Sequence, residues 1–332
     1  MEVVAVAAAL GLAFVLGVSD SANAAAAIVV SRAADWRSAI AYSSLLHAVG
    51  VLAGGTAVAV TINGLVHVAR GDVSGVYAAG GMAAIAFVLA AGRLGVPASA
   101  TYGLVGGLAG AASLAAGSGA IHWGGIVGGR PTGVLGVAIG LVLSLALGLA
   151  GGYLVRGAMG RMLARATRRW LAPVRGGIWL AAGLVAVSDG LNDGQKAMGI
   201  GAGALLASGS LTTFSIPLWL RASVAVALGL GNAIGGARII RRVAIGYYRP
   251  GSVDALSAEL AAAGVIFGAA ALGTPVSTSE TVAASVVGVG ADRHPRHVRW
   301  AAVAATVSAW AITVPSCAVL GAVVYSCESL FR

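Results

Sequence analysis

The chain has 332 residues, of which 58% are hydrophobic and only 10% charged, and its mean hydropathy is +0.92. Soluble domains carry about 25% charged residues, so a soluble enzyme core is excluded and a polytopic α-helical membrane protein with lipid as its surroundings is indicated. The net charge of +10 comes almost wholly from arginine, Lys196 being the one lysine; in a membrane protein such an excess marks cytoplasmic loops and not a nucleic-acid partner.

Apolar stretches run over 3–30, 38–69, 76–92, 95–120 and 133–155, then over 177–205, 213–240, 256–272, 274–290 and 299–326. A basic segment separates the two sets. The resulting division is a first transmembrane repeat over 1–155, a basic cytoplasmic linker over 156–176 and a second repeat over 177–332. The first stretch ends Ser21-Ala22-Asn23-Ala24 like a cleavable leader, but it opens Met1-Glu2 without a basic residue, so it is read as retained. It carries Gly17-Val18-Ser19-Asp20-Ser21-Ala22-Asn23. A carboxylate at the bilayer centre costs at least ~2.5–3.5 kcal/mol, which argues for a use. Ser19 and Asn23 share a helix face, with Asp20 beside them. In the second stretch His47 and His67 lie too far apart for metal-ligand spacing and are read as core packing. The fourth contains Pro97-Ala98-Ser99-Ala100-Thr101-Tyr102. Proline lacks a donor and favours the first helical turn, and serine can cap it. A re-entrant turn of this kind points a helix N-terminus and the Ser99 and Thr101 hydroxyls at an anion.

The second set repeats the first. Its opening stretch carries Gly190-Leu191-Asn192-Asp193-Gly194-Gln195-Lys196, with Asp193 173 residues after Asp20. Pro275-Val276-Ser277-Thr278-Ser279-Glu280 follows Pro97 by 178. Two pairs at nearly one offset argue for internal duplication, and five stretches per half make the second half inverted. With the amino terminus outside, 16 of the 20 arginines fall inside and both termini lie outside. Asn63 and Asn232, 169 apart, are read as a further pair. Cys317 and Cys327 lie on one expected helix, too far apart to bridge. The fold class is therefore an all-α polytopic membrane protein of two inverted repeats, with broken helices and re-entrant hairpins. The acidic clusters are read as helix breaks, where freed carbonyls join Ser19, Asp20, Asn23, Asn192 and Asp193 around a small cation. Ser99, Thr101, Ser277, Thr278 and Ser279 would bind the anion, with Lys196 as a charge partner. Paired cation and anion sites describe a symporter working by alternating access. No phosphate-cradling lysine loop and no nucleophile–base arrangement point to an enzyme.

These motifs resemble the inorganic phosphate transporter (PiT) family. Its Gly-x-Asn-Asp-x-Ala-Asn is similar to Gly17–Asn23, its Ser-His-Gly-x-Asn-Asp-x-x-Lys-x-Met-Gly to Ser188–Gly199, and its Pro-Val-Ser-Thr-Thr-His turns to Pro97–Tyr102 and Pro275–Glu280. Trp300, Trp310 and Pro315 also fit. The resemblance implies symport of inorganic phosphate with sodium or protons, no other cofactor, a multi-pass protein of the cell membrane and a homodimer. If sodium is the coupling ion, Asp20, Asn23, Asn192 and Asp193 are its expected ligands. Departures fall at Ser19 for Asn, Asp189 for His, Ala100 for a hydroxyl residue, and Tyr102 and Glu280 for His. Asp189 and Glu280 become candidate proton carriers. A related branch moves sulfate, so a sulfate permease is the alternative. Phosphate can donate a hydrogen bond to a carboxylate near neutral pH and sulfate cannot, so an acid facing the anion favours phosphate.

Overall fold

A computed structural model of the chain describes residues 1–94, 98–165, 167, 170–243 and 250–330; Pro97, expected in the first turn, lies outside them. The first half runs α1 (Glu2–Val30), α2 (Trp36–Ala53), α3 (Ala57–Asn63), α4 (Arg70–Leu94), α5 (Ala100–Ala116) and α6 (Gly133–Met162). A short antiparallel pair, β1 (Gly125–Val127) and β2 (Arg130–Thr132), lies before α6. The second half runs α7 (Leu171–Ala207), α8 (Leu218–Val243), α9 (Ser252–Ala271), α10 (Thr278–Arg293) and α11 (Trp300–Ser329). Among the described residues seven helices are long and apolar enough to cross a membrane, and α2 with α3 makes an eighth candidate bent by 75°. The ten apolar stretches are thus not ten equivalent crossings: α5 and α10 are shorter helices that start at the serine-bearing turns.

Two sequence readings are corrected here. The acidic clusters do not break their helices, since α1 and α7 are continuous through Asp20 and Asp193. The helices continue through both clusters, where Asn23 bonds Asp189 across the α1–α7 contact and Asn192, Asp193 and Lys196 bond the turns. The real break is at Gly54–Thr56, between α2 and α3. There Gln195 Oε1 accepts from Val58 N at 2.8 Å, and Arg221 donates to the Leu52 and Gly54 carbonyls. The basic segment over 156–176 is also mostly helical, because α6 runs to Met162 and α7 starts at Leu171. Arg156, at the start of that segment, is buried in an ion pair with Asp254.

The two halves pack by one scheme. α1 lies on α8 as α7 lies on α2, α5 on α11 as α10 on α6, and α4 on α5 as α9 on α10. Glycines mark equivalent close approaches. A β-carbon on Gly17 would collide with the Leu228 carbonyl and one on Gly190 with the His47 carbonyl. Gly231 and Gly50 meet Phe14 O and Val187 O in the same way, as do Gly110 and Gly288 with Ala318 O and Leu149 O. Small residues let backbones touch where lipid gives no hydrophobic drive. The first helices of the halves, α1 and α7, run antiparallel at mid-length: Asp20 faces Asp193 while Asn23 bonds Asp189. Inversion is visible in that contact.

Candidate functional site

The site lies where α1, α7 and the starts of α5 and α10 converge. Asp20, Asn23, Asp193, Lys196, Ser99, Thr101, Ser277, Thr278 and Glu280 are all buried. A cavity of about 20 Å³ between them is lined by Ser19, Asp20, Ala98–Thr101, Asp193 and Ser277–Ser279, on the scale of a single water. The four segments expected to share one pocket are therefore brought together.

The second turn is the better anchored. Asn192 donates to Thr274 O at 3.1 Å and accepts from Val276 N at 3.2 Å, which supports the chain before α10. Both functions of its amide are engaged with backbone. Asp193 accepts from Lys196 on one oxygen and from Thr278 Oγ1 at 3.2 Å on the other. Lys196 also donates to Thr101 Oγ1 at 2.8 Å and to Val276 O. An ammonium has three hydrogens, and all three are used. The two turns meet directly: Ser99 Oγ donates to Ser277 Oγ at 3.1 Å, and Thr101 Oγ1 to Val276 O at 3.1 Å.

On α1 the Asp20 carboxylate accepts from Ser279 Oγ and from Asn23 Nδ2, the latter at 3.2 Å. Asn23 Nδ2 also donates to Asp189 at 2.9 Å, so this amide ties two acids together. The Ser19 hydroxyl turns back to Val15 O of its own helix, at 3.0 Å. Asp20 and Asp193 approach within hydrogen-bonding reach of each other. Two carboxylates that face each other in a low-dielectric site repel unless a positive charge lies between or beside them. Glu280 stands near the hydroxyls of Ser99, Ser277 and Tyr102 and near Lys196. Neither of its oxygens completes a well-formed hydrogen bond.

Sequence reasoning missed three neighbours of this site. His47, expected in plain core packing, stands 3.6 Å from Asp189. Asn232, read from the sequence as the repeat counterpart of Asn63, accepts from Ser43 and Ser44 beside His47, while Asn63 bonds Tyr77. Glu259 on α9 is buried and bears electrostatically on Asp189. A signal existed for His47, because Asp189 replaces the family's histidine and leaves a buried acid in need of a partner. Among the described residues no three His, Cys, Asp or Glu side chains are close enough to hold a metal ion by themselves. Any metal ion here would also need hydroxyl or amide oxygens.

Comparison with known proteins agrees with this geometry. The model of the phosphate transporter family matches twice, over residues 16–177 and 164–321. The chain is 32% identical to the "Probable low-affinity inorganic phosphate transporter" of Bacillus subtilis, across 98% of this chain and 96% of that protein. It is 34% identical to the protein of the same name from Mycobacterium bovis, across 97% of this chain and 76% of that one. The solved structure of "The sodium-dependent phosphate transporter" superposes with a TM-score of 0.82 over 100% of this chain and 99% of that one, at 21% identity, a likeness of fold. Two matches of one family model, one per repeat, and relatives above 30% identity over almost the whole length place this chain in the phosphate transporter family.

Proposed function

We propose that the protein moves inorganic phosphate across the cell membrane together with a cation, by alternating access of its two repeats. The observation that carries this reading is charge. Asp20, Asp193 and Glu280 line the anion-binding turns, and the cationic neighbour among the described residues, Lys196, is already bonded to Asp193. A phosphate anion entering this low-dielectric pocket unaccompanied would meet net negative charge. A sodium ion or a proton held between Asp20 and Asp193, with Ser19 and Ser279 as further oxygens, removes that barrier. Asn23 and Asn192 then position acids and turn instead of facing the ion. Ser99, Thr101, Ser277, Thr278 and Ser279 bind the phosphate oxygens, assisted by Lys196 and by the α5 and α10 N-termini. Glu280 accepts a hydrogen bond from protonated phosphate, which favours phosphate over sulfate. Both termini lie outside and the basic connection between α6 and α7 lies in the cytoplasm, where the arginine distribution puts them. The resemblance adds a homodimer, which the mass of the detergent-solubilised assembly would test.

Uptake into proteoliposomes with sodium and pH gradients imposed separately tests the main claim. Asp20→Asn is expected to abolish gradient-driven phosphate uptake while the protein still inserts. Full uptake by that variant would overturn the assigned role. Strong competition of labelled phosphate uptake by excess sulfate would replace phosphate with sulfate as the cargo.

A further inference from the structure

Away from the anion pocket, α6, α10 and α11 enclose an apolar cleft of about 200 Å³. Leu145 and Leu149 of α6, Ala283 and Val287 of α10, and Val303 and Val307 of α11 form its walls. The polar side chain among the walls, Thr306, donates its hydroxyl to Ala302 O of its own helix at 2.9 Å. The cleft therefore presents apolar surface to whatever fills it. An apolar cavity of ~150 Å³ is enough to stay dry and take up benzene. Leu149 and Val307 are exposed at the mouth of this one, so it opens to the surroundings of the helices, which are lipid.

All three walls lead to one basic rim. α6 and α10 run side by side in the same direction, since β-carbons on Gly148, Gly152 and Gly157 would meet Thr281 O, Ser285 O and Asp292 Oδ1 in turn. In that direction α10 reaches Arg293 about 9 Å past Val287, and α6 ends at Arg161 and Met162. α11 begins beside Arg299, about 6 Å before Val303, and Arg296 lies in the short turn Pro295–His297 that joins the two helices. Arg161, Arg293, Arg296 and Arg299 are all exposed. Among the described residues none of the four stands in an ion pair, and half-buried Asp292 is the acid at this rim. Trp300 is exposed beside them and donates from Nε1 to Pro295 O at 3.1 Å. Tryptophan so placed marks the level of the lipid headgroups.

We propose that cleft and rim together form a binding site for an anionic phospholipid, with one acyl chain in the cleft and the headgroup phosphate on the arginines. Guanidinium groups match phosphate oxygens in pairs, and a basic pocket between helices at the cytoplasmic surface is the form that anionic headgroups occupy. The arginine distribution puts this rim in that leaflet. A second copy of the chain fits the face less well. An isologous contact in the membrane would set two such rims at one depth, like charge against like charge. Ala283 lies one helical turn after Ser279 and Glu280, so the bound chain braces the helix that carries the second turn.

The full chain in detergent, incubated with equal amounts of phosphatidylglycerol and phosphatidylcholine of the same acyl chains and freed of excess lipid, is tested by mass spectrometry of what it retains. The wild type is expected to keep phosphatidylglycerol roughly tenfold or more over phosphatidylcholine, since each arginine beside an anionic headgroup is worth about fivefold in affinity. R293Q/R296Q/R299Q is expected to bring that ratio close to one. A146F, which fills the cleft from an exposed wall position, is expected to lower retention of both lipids. Equal retention by the wild type, or a wild-type ratio in the triple variant, would overturn the headgroup site. Undiminished phosphatidylglycerol on A146F would overturn the cleft, and loss of a dimer in that variant with its lipid unchanged would give the face to a second copy. If either variant does not fold, the wild type decides. Salt at 1 M, where screening acts over about 3 Å, should abolish the preference, and excess free glycerol phosphate should leave the lipid in place. A preference that survives the salt, or a lipid displaced by the free headgroup, rules the site out.

Discussion

Asp20 and Asp193 occupy equivalent places on α1 and α7, yet they hold their turns very differently. On α7, Asn192, Asp193 and Lys196 together make five bonds to the segment from Thr274 to Thr278 and to Thr101. On α1 the counterpart of Asn192 is Ser19, whose hydroxyl bonds back to its own helix. The counterpart of Lys196 is Asn23, which reaches toward Asp189 and not toward a turn. Ala100 stands in the first turn where Thr278 stands in the second. Ser99 and Thr101 are held through the second turn and Lys196. Of the two turns, the second is fixed to its own helix α7, while among the described residues no hydrogen bond ties the first to α1. In alternating access the less tethered turn is the one that parts at lower cost.

The largest break of this asymmetry is Lys196→Met. It leaves Asp193 as a buried unpaired acid and takes a donor from Thr101 and from Val276 O, and breaking a buried pair in this way costs roughly 3–5 kcal/mol. Phosphate uptake should vanish and the melting temperature in detergent should fall clearly. Asp193→Asn in the same chain should restore part of the melting temperature and none of the uptake. Wild-type stability in the single variant would mean that the lysine strap carries no load. Asn192→Ala comes next. It strands a buried carbonyl and a buried amide, at about 1–3 kcal/mol each, and uptake should drop by roughly tenfold or more. Ser19→Ala, its counterpart, should stay within about 0.5 kcal/mol in stability. Equal effects on stability from the two substitutions would erase the asymmetry.

Much of this was legible in the chain itself. The paired acidic clusters and the paired Pro-x-Ser turns announced the duplication and the pocket, because charged groups in apolar sequence are too costly to be incidental. Helix-by-helix registration was not legible. Equivalent glycines lie 173 apart for α1 and α7 (Gly17, Gly190) but 181 apart for α2 and α8 (Gly50, Gly231), and 169 apart for α6 and α11 (Gly152, Gly321). Loops of unequal length shift each pair separately. An offset of 169 was therefore wrong for Asn63 and Asn232, which lie in the α2–α3 and α8 regions. Continuity of α1 and α7 was hidden for another reason: a polar cluster reads alike whether its partners are freed carbonyls or side chains across an interface. His47 was missed because its partner comes from the other repeat, 142 positions along the chain at Asp189.

The finest test restores what the first repeat lacks. Ser19→Asn gives α1 the amide that α7 uses to hold the second turn, at the matching position 173 residues earlier. If the first turn is the one that moves, an added bond between it and α1 stabilises the closed arrangement. One neutral hydrogen bond is worth about 0.5–1.5 kcal/mol, so turnover should slow by roughly twofold to tenfold. Stability should hold or rise slightly, and phosphate KM should fall or stay level, because the closed form retains the ligand. Initial rates over a range of phosphate concentrations separate these effects. A variant that turns over faster than the wild type would place the slow step elsewhere, with the strapped second turn as the next candidate, since its bonds to Asn192 would then be the ones that must break in each cycle.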